Sequence, residues 1–151
     1  MVVIQAGGCQ CGAIRYELSA APLTLYTCHC TECQKQSTSA FGMSLRVPRG
    51  AFRIVKGEPK VWHRTADSGM AVVCHFCGDC GTRLIHDAEF APGTVNIKPG
   101  TLDDTSGLGP VANIWTGSAQ PWVHLSDEML NYKGQPADFG PLLAKWREQA
   151  G

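Results

Sequence analysis

Seven of the eight cysteines in this sequence of 151 residues fall into three short clusters whose spacings suit metal ligation. The first cluster is Gly8-Cys9-Gln10-Cys11-Gly12, the second is Cys28-His29-Cys30-Thr31-Glu32-Cys33, and the third is Phe76-Cys77-Gly78-Asp79-Cys80-Gly81. Thiolate sulfur is a preferred ligand of zinc, which it holds in tetrahedral sites. The clusters therefore predict zinc sites, and the number of cysteines at each site indicates what its ion does.

The first and third clusters together supply the four thiolates of a closed zinc site. Side chains at i and i+2 of an extended backbone point to the same face, so Cys9 and Cys11 can approach one ion together. Cys77 and Cys80 stand in a Cys-x-x-Cys-Gly sequence, which is typical of zinc knuckles and ribbons. Four thiolates leave no position for a substrate, so this zinc is predicted to be structural and to join segments about 65 residues apart. Such an ion can contribute about 10 kcal/mol or more to folding, so its loss should unfold the protein.

The second cluster places three thiolates, from Cys28, Cys30 and Cys33, in one local segment. Three protein ligands leave the fourth tetrahedral position open, as in catalytic zinc sites. Three thiolates also bring the divalent centre to a net charge of about −1, so it acidifies a bound water less than a site of neutral imidazoles does. Hydrolysis is therefore disfavoured, and a thiol that attacks a small carbonyl carbon suits this soft centre better. We predict that these three cysteines form a catalytic zinc site for thiol chemistry.

The other polar residues have simpler interpretations. Cys74 is expected to pack as a small apolar group inside a strand, although its spacing from Cys77 also permits ligation. His29 should face away from its neighbouring cysteines, which favours a solvent-facing side chain or a hydrogen-bond partner of the site over a ligand. The presence of Asp79 between Cys77 and Cys80 is explained by the turn predicted there, since aspartate is favoured in turns, and it does not require a catalytic role. The basic residues for which the sequence shows no catalytic motif are His63, His75, His86, His124, Arg15, Lys35, Arg46 and Arg64.

The composition describes an ordinary globular protein, which we expect to form a single domain over residues 1–151. The hydrophobic fraction is 44%, and no run approaches the roughly 20 apolar residues of a membrane helix. Basic and acidic side chains number 13 each, so no global charge attracts nucleic acid or an anionic membrane. The amino terminus lacks the basic start and apolar run of a secretory signal, which predicts the cytoplasm. Thiols are kept reduced there, which favours metal ligation over disulfides.

The elements that position these clusters are predicted to be short strands, because apolar runs rich in Val, Ile, Phe and Tyr alternate with Gly and Pro. The expected strands cover 2–6, 13–18, 23–27, 41–47, 52–55, 70–76, 82–85, 94–97 and 111–114. A helical turn is expected at 31–36 and a C-terminal helix at 139–149, which should pack its apolar face on the sheets. Residues 100–110 predict a long surface loop. We therefore expect a mainly β protein.

The three clusters, in this order, resemble those of the glutathione-dependent formaldehyde-activating enzyme family, also called the GFA or CENP-V domain family. The resemblance runs from Gly8 to Leu84 and includes the Gly-Thr that follows Cys80. It implies an Mss4-like fold of packed antiparallel sheets with a short C-terminal helix. It also implies two zinc ions. The structural ion would be held by Cys9, Cys11, Cys77 and Cys80, and the catalytic ion by Cys28, Cys30 and Cys33.

The activity that the resemblance implies is the joining of glutathione and formaldehyde into S-hydroxymethylglutathione, a carbon-sulfur lyase reaction. The partners would be glutathione or a related small thiol and an aldehyde, with neither nucleic acid nor membrane. The chain departs from members similar to the formaldehyde-activating enzyme itself, because Gln34 replaces a Trp and Gln36-Ser37-Thr38-Ser39 stands where they carry a Gly. The sequence therefore leaves the substrate open, and it leaves the oligomeric state open as well.

Two other functions fit the same residues. One is a non-catalytic zinc module that binds a protein partner, as other Mss4-like folds do, and whose second cluster is closed by a fourth side chain. The other is a relative of methionine sulfoxide reductases, which needs a redox cysteine away from the metals. Cys74 is the only spare thiol for that role, and it adjoins a ligand pair.

Overall fold

In a computed structural model of the chain, residues 2–66, 69–88 and 91–150 are described. The chain divides into two compact units, each made of two separate stretches of sequence. The first unit comprises Met1–Pro22 and Arg46–Gly107, and the second comprises Leu23–Leu45 and Leu108–Gly151. The expectation of a single domain over 1–151 stays a prediction.

The described residues form eleven β-strands and two α-helices. The strands are β1 (Gln5–Gly8), β2 (Arg15–Leu18), β3 (Thr24–Cys28), β4 (Gly42–Pro48), β5 (Phe52–Lys56), β6 (Lys60–Thr65), β7 (Ala71–Phe76), β8 (Arg83–Ala88), β9 (Thr94–Ile97), β10 (Ala112–Ile114) and β11 (Leu130–Asn131). The helices are α1 (Thr31–Ser37) and α2 (Gly140–Ala150). Neither of these helices has the length and hydropathy that crossing a bilayer requires.

The first unit contains an antiparallel sheet of three strands in the order β1-β2-β5. Tyr16 and Leu18 of β2 are fully buried, while the residues that alternate with them are partly exposed. This alternation is typical of a strand with one face on a core. The connection between β1 and β2 carries Cys9 and Cys11, so a hairpin presents the first cysteine cluster.

The same unit contains an antiparallel ladder in the order β9-β8-β7-β6. The turn between β7 and β8 carries Cys77 and Cys80. The register of β7 against β8 shifts between His75 and Phe76, at the point where the chain enters this turn. Such irregularities bend a strand locally, and here the bend begins the segment that carries the third cysteine cluster.

The second unit contains β11, β10, β3 and residues 42–45 of β4, in that order. All five residues of β3 are buried, and Cys28 is its last residue. Helix α2 contacts this strand. The Thr24 hydroxyl of β3 donates a hydrogen bond to the Leu142 carbonyl of α2 over 3.1 Å. The rings of Tyr26 and Phe139 meet edge to face with centroids 5.4 Å apart. A buried strand thus fixes the first residue of the second cysteine cluster.

The mainly β fold and the C-terminal helix are confirmed, and strand β9 coincides with its predicted range. Strands β6 and β11 were not predicted. Five of the six residues of β6 are exposed, so this strand lacks the alternation by which a sequence reveals a strand. The pairing in the second unit is mixed, because β10 pairs in parallel with both β3 and β11.

Candidate metal centres

The structure brings Cys9, Cys11, Cys77 and Cys80 together, with their four sulfur atoms within 4.8 Å of one another. The Sγ atoms of Cys9 and Cys11 are 3.6 Å apart, and those of Cys11 and Cys77 are 3.8 Å apart. Separations of this size suit a tetrahedral ion bound at about 2.3 Å to each sulfur. This set, the four-cysteine group, leaves no coordination position open, as the predicted structural site requires.

Each cysteine pair of the four-cysteine group is held by a tight backbone turn that ends at a glycine. The Gly12 amide donates to the Cys9 carbonyl over 3.2 Å, and the Gly81 amide donates to the Cys77 carbonyl over 2.9 Å. The φ angles of Gly12 and Gly81 are +81° and +79°, a region that other residues rarely adopt. These glycines let the chain turn back, so that both sulfurs of a pair face one point.

Hydrogen bonds to sulfur stabilise thiolates in the four-cysteine group. The Ile14 amide donates to the Sγ of Cys9 over 3.3 Å. The Thr82 hydroxyl accepts from the Gln10 amide over 3.1 Å and lies 3.2 Å from the Sγ of Cys80, to which it can donate its own proton when that sulfur is a thiolate. This hydrogen bond is the main cause that lowers the pKa of Cys80 to about 5. A thiol that is ionised at neutral pH is ready to bind a cation.

Cys28, Cys30 and Cys33 form the three-cysteine group in the second unit, with their sulfur atoms within 4.8 Å of one another. Cys28 ends β3, Cys30 is the N-cap of α1, and Cys33 lies in the first turn of that helix. The Cys33 amide donates to the Sγ of Cys30 over 3.3 Å. Hydrogen bonding from the Cys28 thiol is the main cause that lowers the pKa of Cys30, and the same contact raises the pKa of Cys28. The local geometry therefore favours a thiolate on Cys30.

The three-cysteine group has no fourth donor among the residues that the structure describes. Within 2–66, 69–88 and 91–150, no further His, Cys, Asp or Glu joins its three sulfurs within 4.8 Å. The group packs on an apolar cluster that includes Ile114 and Leu142. Cys28 is buried, whereas Cys30 and Cys33 are partly exposed. A metal ion held by these thiolates would keep a coordination position for a small molecule.

His29, which lies between two of these cysteines, is fully buried. The Thr27 hydroxyl donates to the Oδ1 of Asn113, so the same hydroxyl oxygen accepts the Nε2 proton of His29 over 3.0 Å. The ring nitrogen Nδ1 is then an acceptor, and no hydrogen-bond donor of the described residues reaches it. The expectation of a solvent-facing His29 is wrong, because this polar network holds the ring inside the protein.

The carbonyl oxygen of His29 accepts two side-chain hydrogen bonds that fix the loop carrying the cysteines. They come from the Nε2 of Gln34 over 2.8 Å and from the Oγ of Ser118 over 2.9 Å. Gln34 also donates to the Ser118 carbonyl over 2.9 Å and accepts from the Nε2 of Gln120 over 2.7 Å. Sequence analysis missed this role of Gln34, whose only signal was its departure from the Trp of similar proteins.

The other residues named from the sequence lie outside both groups. Cys74 is buried in β7, as predicted, and belongs to neither group. Arg15 forms a two-point ion pair with Asp103, and Arg46 donates from its Nε to Asn96 over 3.5 Å. The structure assigns no metal cluster to the remaining residues of the described ranges that sequence analysis considered, which are Asp79, His63, His75, His86, His124, Lys35 and Arg64.

Comparison with known proteins finds a matching family model and a similar fold. The family model for the glutathione-dependent formaldehyde-activating enzyme matches residues 4–118, which include all seven clustered cysteines. A protein of Rhodobacter sphaeroides with a known crystal structure is similar, with a TM-score of 0.54 and 20% sequence identity. The similarity covers 70% of this chain and 91% of that chain. At this identity the likeness concerns the fold alone, and it agrees with the mainly β architecture.

Proposed function

The chain belongs to the glutathione-dependent formaldehyde-activating enzyme family, and from this premise we propose that it joins a small thiol, such as glutathione, to an aldehyde, such as formaldehyde. The reaction takes place at the three-cysteine group and gives an S-hydroxymethyl adduct, as a carbon-sulfur lyase acting in the synthetic direction does. The observation that supports this proposal most directly is that three thiols lie close together, with no fourth metal-binding side chain beside them among the described residues.

The donor sets of both cysteine groups fit zinc. Soft thiolates select zinc over hard cations such as magnesium and calcium. One ion at the four-cysteine group stabilises the fold, and a second ion belongs to the three-cysteine group. When bound there, zinc supplies a Lewis acid with one position for an incoming thiol or carbonyl oxygen.

The protein's residues hold the three sulfur atoms in place and give the metal site a net negative charge. The end of β3 holds Cys28, while Cys30 is the N-cap of α1 and Cys33 lies in the first turn of that helix. The hydrogen bond from the Cys33 amide satisfies the sulfur of Cys30 and orients it. Three thiolates around a divalent cation leave a net charge of about −1, which weakens the acidification of water. The site therefore favours sulfur over water as the nucleophile.

The proposed reaction balances without an oxidant or a reductant. The lone pair of the thiol sulfur forms the new bond to the carbonyl carbon, as in other nucleophilic additions of sulfur. The π electrons of the carbonyl group move to oxygen, and the proton released by the thiol ends on that oxygen as a hydroxyl. The reverse reaction breaks the same carbon-sulfur bond and returns thiol and aldehyde.

A non-catalytic zinc module would require a fourth side chain on the three-cysteine group. The described residues supply no such donor. His29, the histidine nearest in sequence, instead bonds Thr27 and Asn113 through its Nε2. These observations support the open site over the closed one.

NMR exchange spectroscopy with glutathione and formaldehyde tests the proposed reaction. Protein shown to carry two zinc ions should accelerate exchange between the free thiol and its adduct beyond the uncatalysed rate. The Cys30→Ala variant should lose this acceleration while it keeps the zinc of the four-cysteine group. An uncatalysed rate in the two-zinc protein would contradict the proposal.

A further inference from the structure

Cys30 and Cys33 stand in an arrangement that permits a disulfide bond. Cys30 is the N-cap of α1, Cys33 lies in the first turn of this helix, and the Cys33 amide donates to the Sγ of Cys30 over 3.3 Å. The rise and radius of an α-helix place the Cα atoms of residues i and i+3 about 5 Å apart. Disulfides join Cα atoms that are roughly 4.4–6.8 Å apart, so these two cysteines can be joined while the backbone stays in place.

Cys28 is a poorer disulfide partner than either of the other two cysteines. It ends the buried strand β3, where it pairs with Ile114 of β10, and the backbone of Cys30 is still extended, with φ −65° and ψ 154°. Two residues of extended chain span about 6.6 Å, close to the upper limit for a disulfide. Cys28 is also buried, whereas Cys30 and Cys33 are partly exposed. A dissolved oxidant therefore reaches Cys30 and Cys33 first.

The four-cysteine group is better protected against oxidation. Each of its two cysteine pairs includes one buried residue, Cys9 or Cys77. A disulfide there would also expel an ion that can contribute about 10 kcal/mol or more to folding. The three-cysteine group comes from one local segment, whose backbone is held by the hydrogen bonds of Gln34 and Ser118 to the His29 carbonyl. This segment can therefore lose its ion without losing its fold.

Resting on the zinc site of the proposed function, we propose that Cys30 and Cys33 form a redox modification site. A hydroperoxide converts these two cysteines into a disulfide, and the zinc of the three-cysteine group leaves, while the four-cysteine group keeps its ion. The addition of thiol to aldehyde then stops, because only the sulfur of Cys28 remains as a ligand. A dithiol that reduces the disulfide lets zinc bind again.

The oxidation balances with the hydroperoxide as the oxidant. One thiolate of the pair attacks an oxygen of the hydroperoxide and breaks the O–O bond, which leaves a sulfenic acid on sulfur. The released alkoxide or hydroxide takes a proton from solvent. The second thiolate attacks the sulfur of the sulfenic acid, the S–O bond breaks, and the hydroxide that leaves is protonated to water. The two sulfur atoms lose two electrons, the hydroperoxide gains them, and zinc leaves as its divalent ion.

Hydrogen peroxide in stoichiometric amount is the probe, added to protein shown to carry two zinc ions. A coloured chelator should report the loss of one ion per chain, and circular dichroism should show that the fold is kept. Proteolysis after Glu32 separates Cys30 from Cys33, so a disulfide between them links two peptides, and fragmentation of the linked pair identifies the joined cysteines. A dithiol reductant with added zinc should restore both ions.

Two variants test which cysteines take part. Cys74→Ala removes a buried cysteine outside both groups, so it should release the same ion and give the same linked peptides. Cys33→Ser should give no linked peptides, and its Cys30 should stop at a sulfenic acid that dimedone traps. Retention of both ions, a disulfide that includes Cys28, or earlier oxidation of the four-cysteine group would overturn the proposal.

The redox site and the reaction fail separately. A reversible disulfide with zinc release, in protein that does not accelerate adduct formation, would support the redox site and contradict the reaction. Accelerated adduct formation by protein that keeps both ions in hydrogen peroxide would support the reaction and contradict the redox site. Zinc uptake by the four-cysteine group alone would contradict both.

Discussion

A β-carbon on Gly42 would lie 3.3 Å from the Cβ of Cys33 and 3.7 Å from its Sγ. Gly42 is buried at the start of β4, and it is not one of the glycines with positive φ, so the backbone conformation alone does not demand glycine there. A glycine within a strand often marks a place where another group approaches closely. The missing side chain at residue 42 leaves the space that Cys33 occupies in the three-cysteine group.

Gly42→Ala should therefore weaken metal binding at the three-cysteine group. The added methyl group displaces Cys33, and overpacking of this kind costs about 1–3 kcal/mol, which corresponds to roughly 5- to 150-fold in zinc affinity. Competition with a coloured chelator measures the affinity of the weaker of the two sites. Gly50→Ala is the control, because a β-carbon at Gly50 would meet no atom within 4 Å. Equal zinc affinity in the two variants would show that Gly42 does not position Cys33.

The buried network around His29 should stabilise the second unit. His29→Ala leaves the Thr27 hydroxyl and the Asn113 amide without their ring partner, and a buried polar group that loses its partner costs about 1–3 kcal/mol. His29→Gln can restore a donor near the position of Nε2 and should recover part of this loss. Urea unfolding of the zinc-loaded protein measures both effects. His124→Ala removes an exposed histidine and serves as the reference; an equal effect at His29 would refute the structural role of the network.

The two cysteine groups should respond differently to the loss of one sulfur. Cys77→Ala opens the four-cysteine group, and the loss of a structural zinc worth about 10 kcal/mol exceeds the stability of most small domains, so this variant should not fold. Cys30→Ala should fold and carry one zinc fewer. Elemental analysis and circular dichroism report both results. Cys74→Ala, a buried cysteine outside both groups, should keep both ions. A folded Cys77→Ala protein would remove the structural assignment.

Acid should weaken the fold through His86. Burial first, and then the positive charges of nearby lysine and arginine side chains, lower the pKa of His86 well below its ordinary value. The unfolded chain takes up this proton near pH 6.5 while the folded protein stays neutral, so the free energy of unfolding falls as the pH drops below that value. The slope from this one group is at most about 1.4 kcal/mol per pH unit.

Urea unfolding between about pH 7 and pH 5 checks the contribution of His86. Release of zinc in acid affects the unsubstituted protein and His86→Gln alike, so the difference between their slopes isolates the imidazole. The unsubstituted protein should lose stability more steeply. Parallel slopes would show that His86 takes up its proton as readily in the folded protein as in the unfolded chain.

The cysteine pairs could be predicted from the sequence because the spacing within each cluster is local. The first and third clusters, whose Cys11 and Cys77 lie 66 residues apart, could be combined because two thiols from each complete a four-thiolate site. Spacings of two and three residues assign each thiol to a strand end or a turn, and the structure gathers the same seven sulfurs in the predicted split. Whether they bind zinc stays a prediction. The helix turn after Cys28 and the helix at the C terminus were visible for the same reason, since each is marked by its own short sequence.

The supporting contacts could not be predicted, because their partners are distant in sequence. Asn113 lies 84 residues from His29 and Gln120 lies 86 residues from Gln34, and no spacing rule connects such pairs. Strand β6 was not predicted because it is an exposed edge strand. Such a strand has no buried face, so its sequence does not alternate between apolar and polar residues. The parallel pairing of β10 with β3 depends on the path of the long segment that connects them. The sequences of the two short strands do not indicate which strand each one pairs with.

The central claim is that Cys28, Cys30 and Cys33 hold zinc and leave one position for a thiol, and X-ray absorption at the zinc edge tests it directly. In protein with both groups filled, we predict sulfur at every coordination position except one, which a lighter oxygen atom occupies. Addition of glutathione should replace that oxygen with sulfur. Complete coordination of both ions by protein side chains, unchanged by glutathione, would contradict the account.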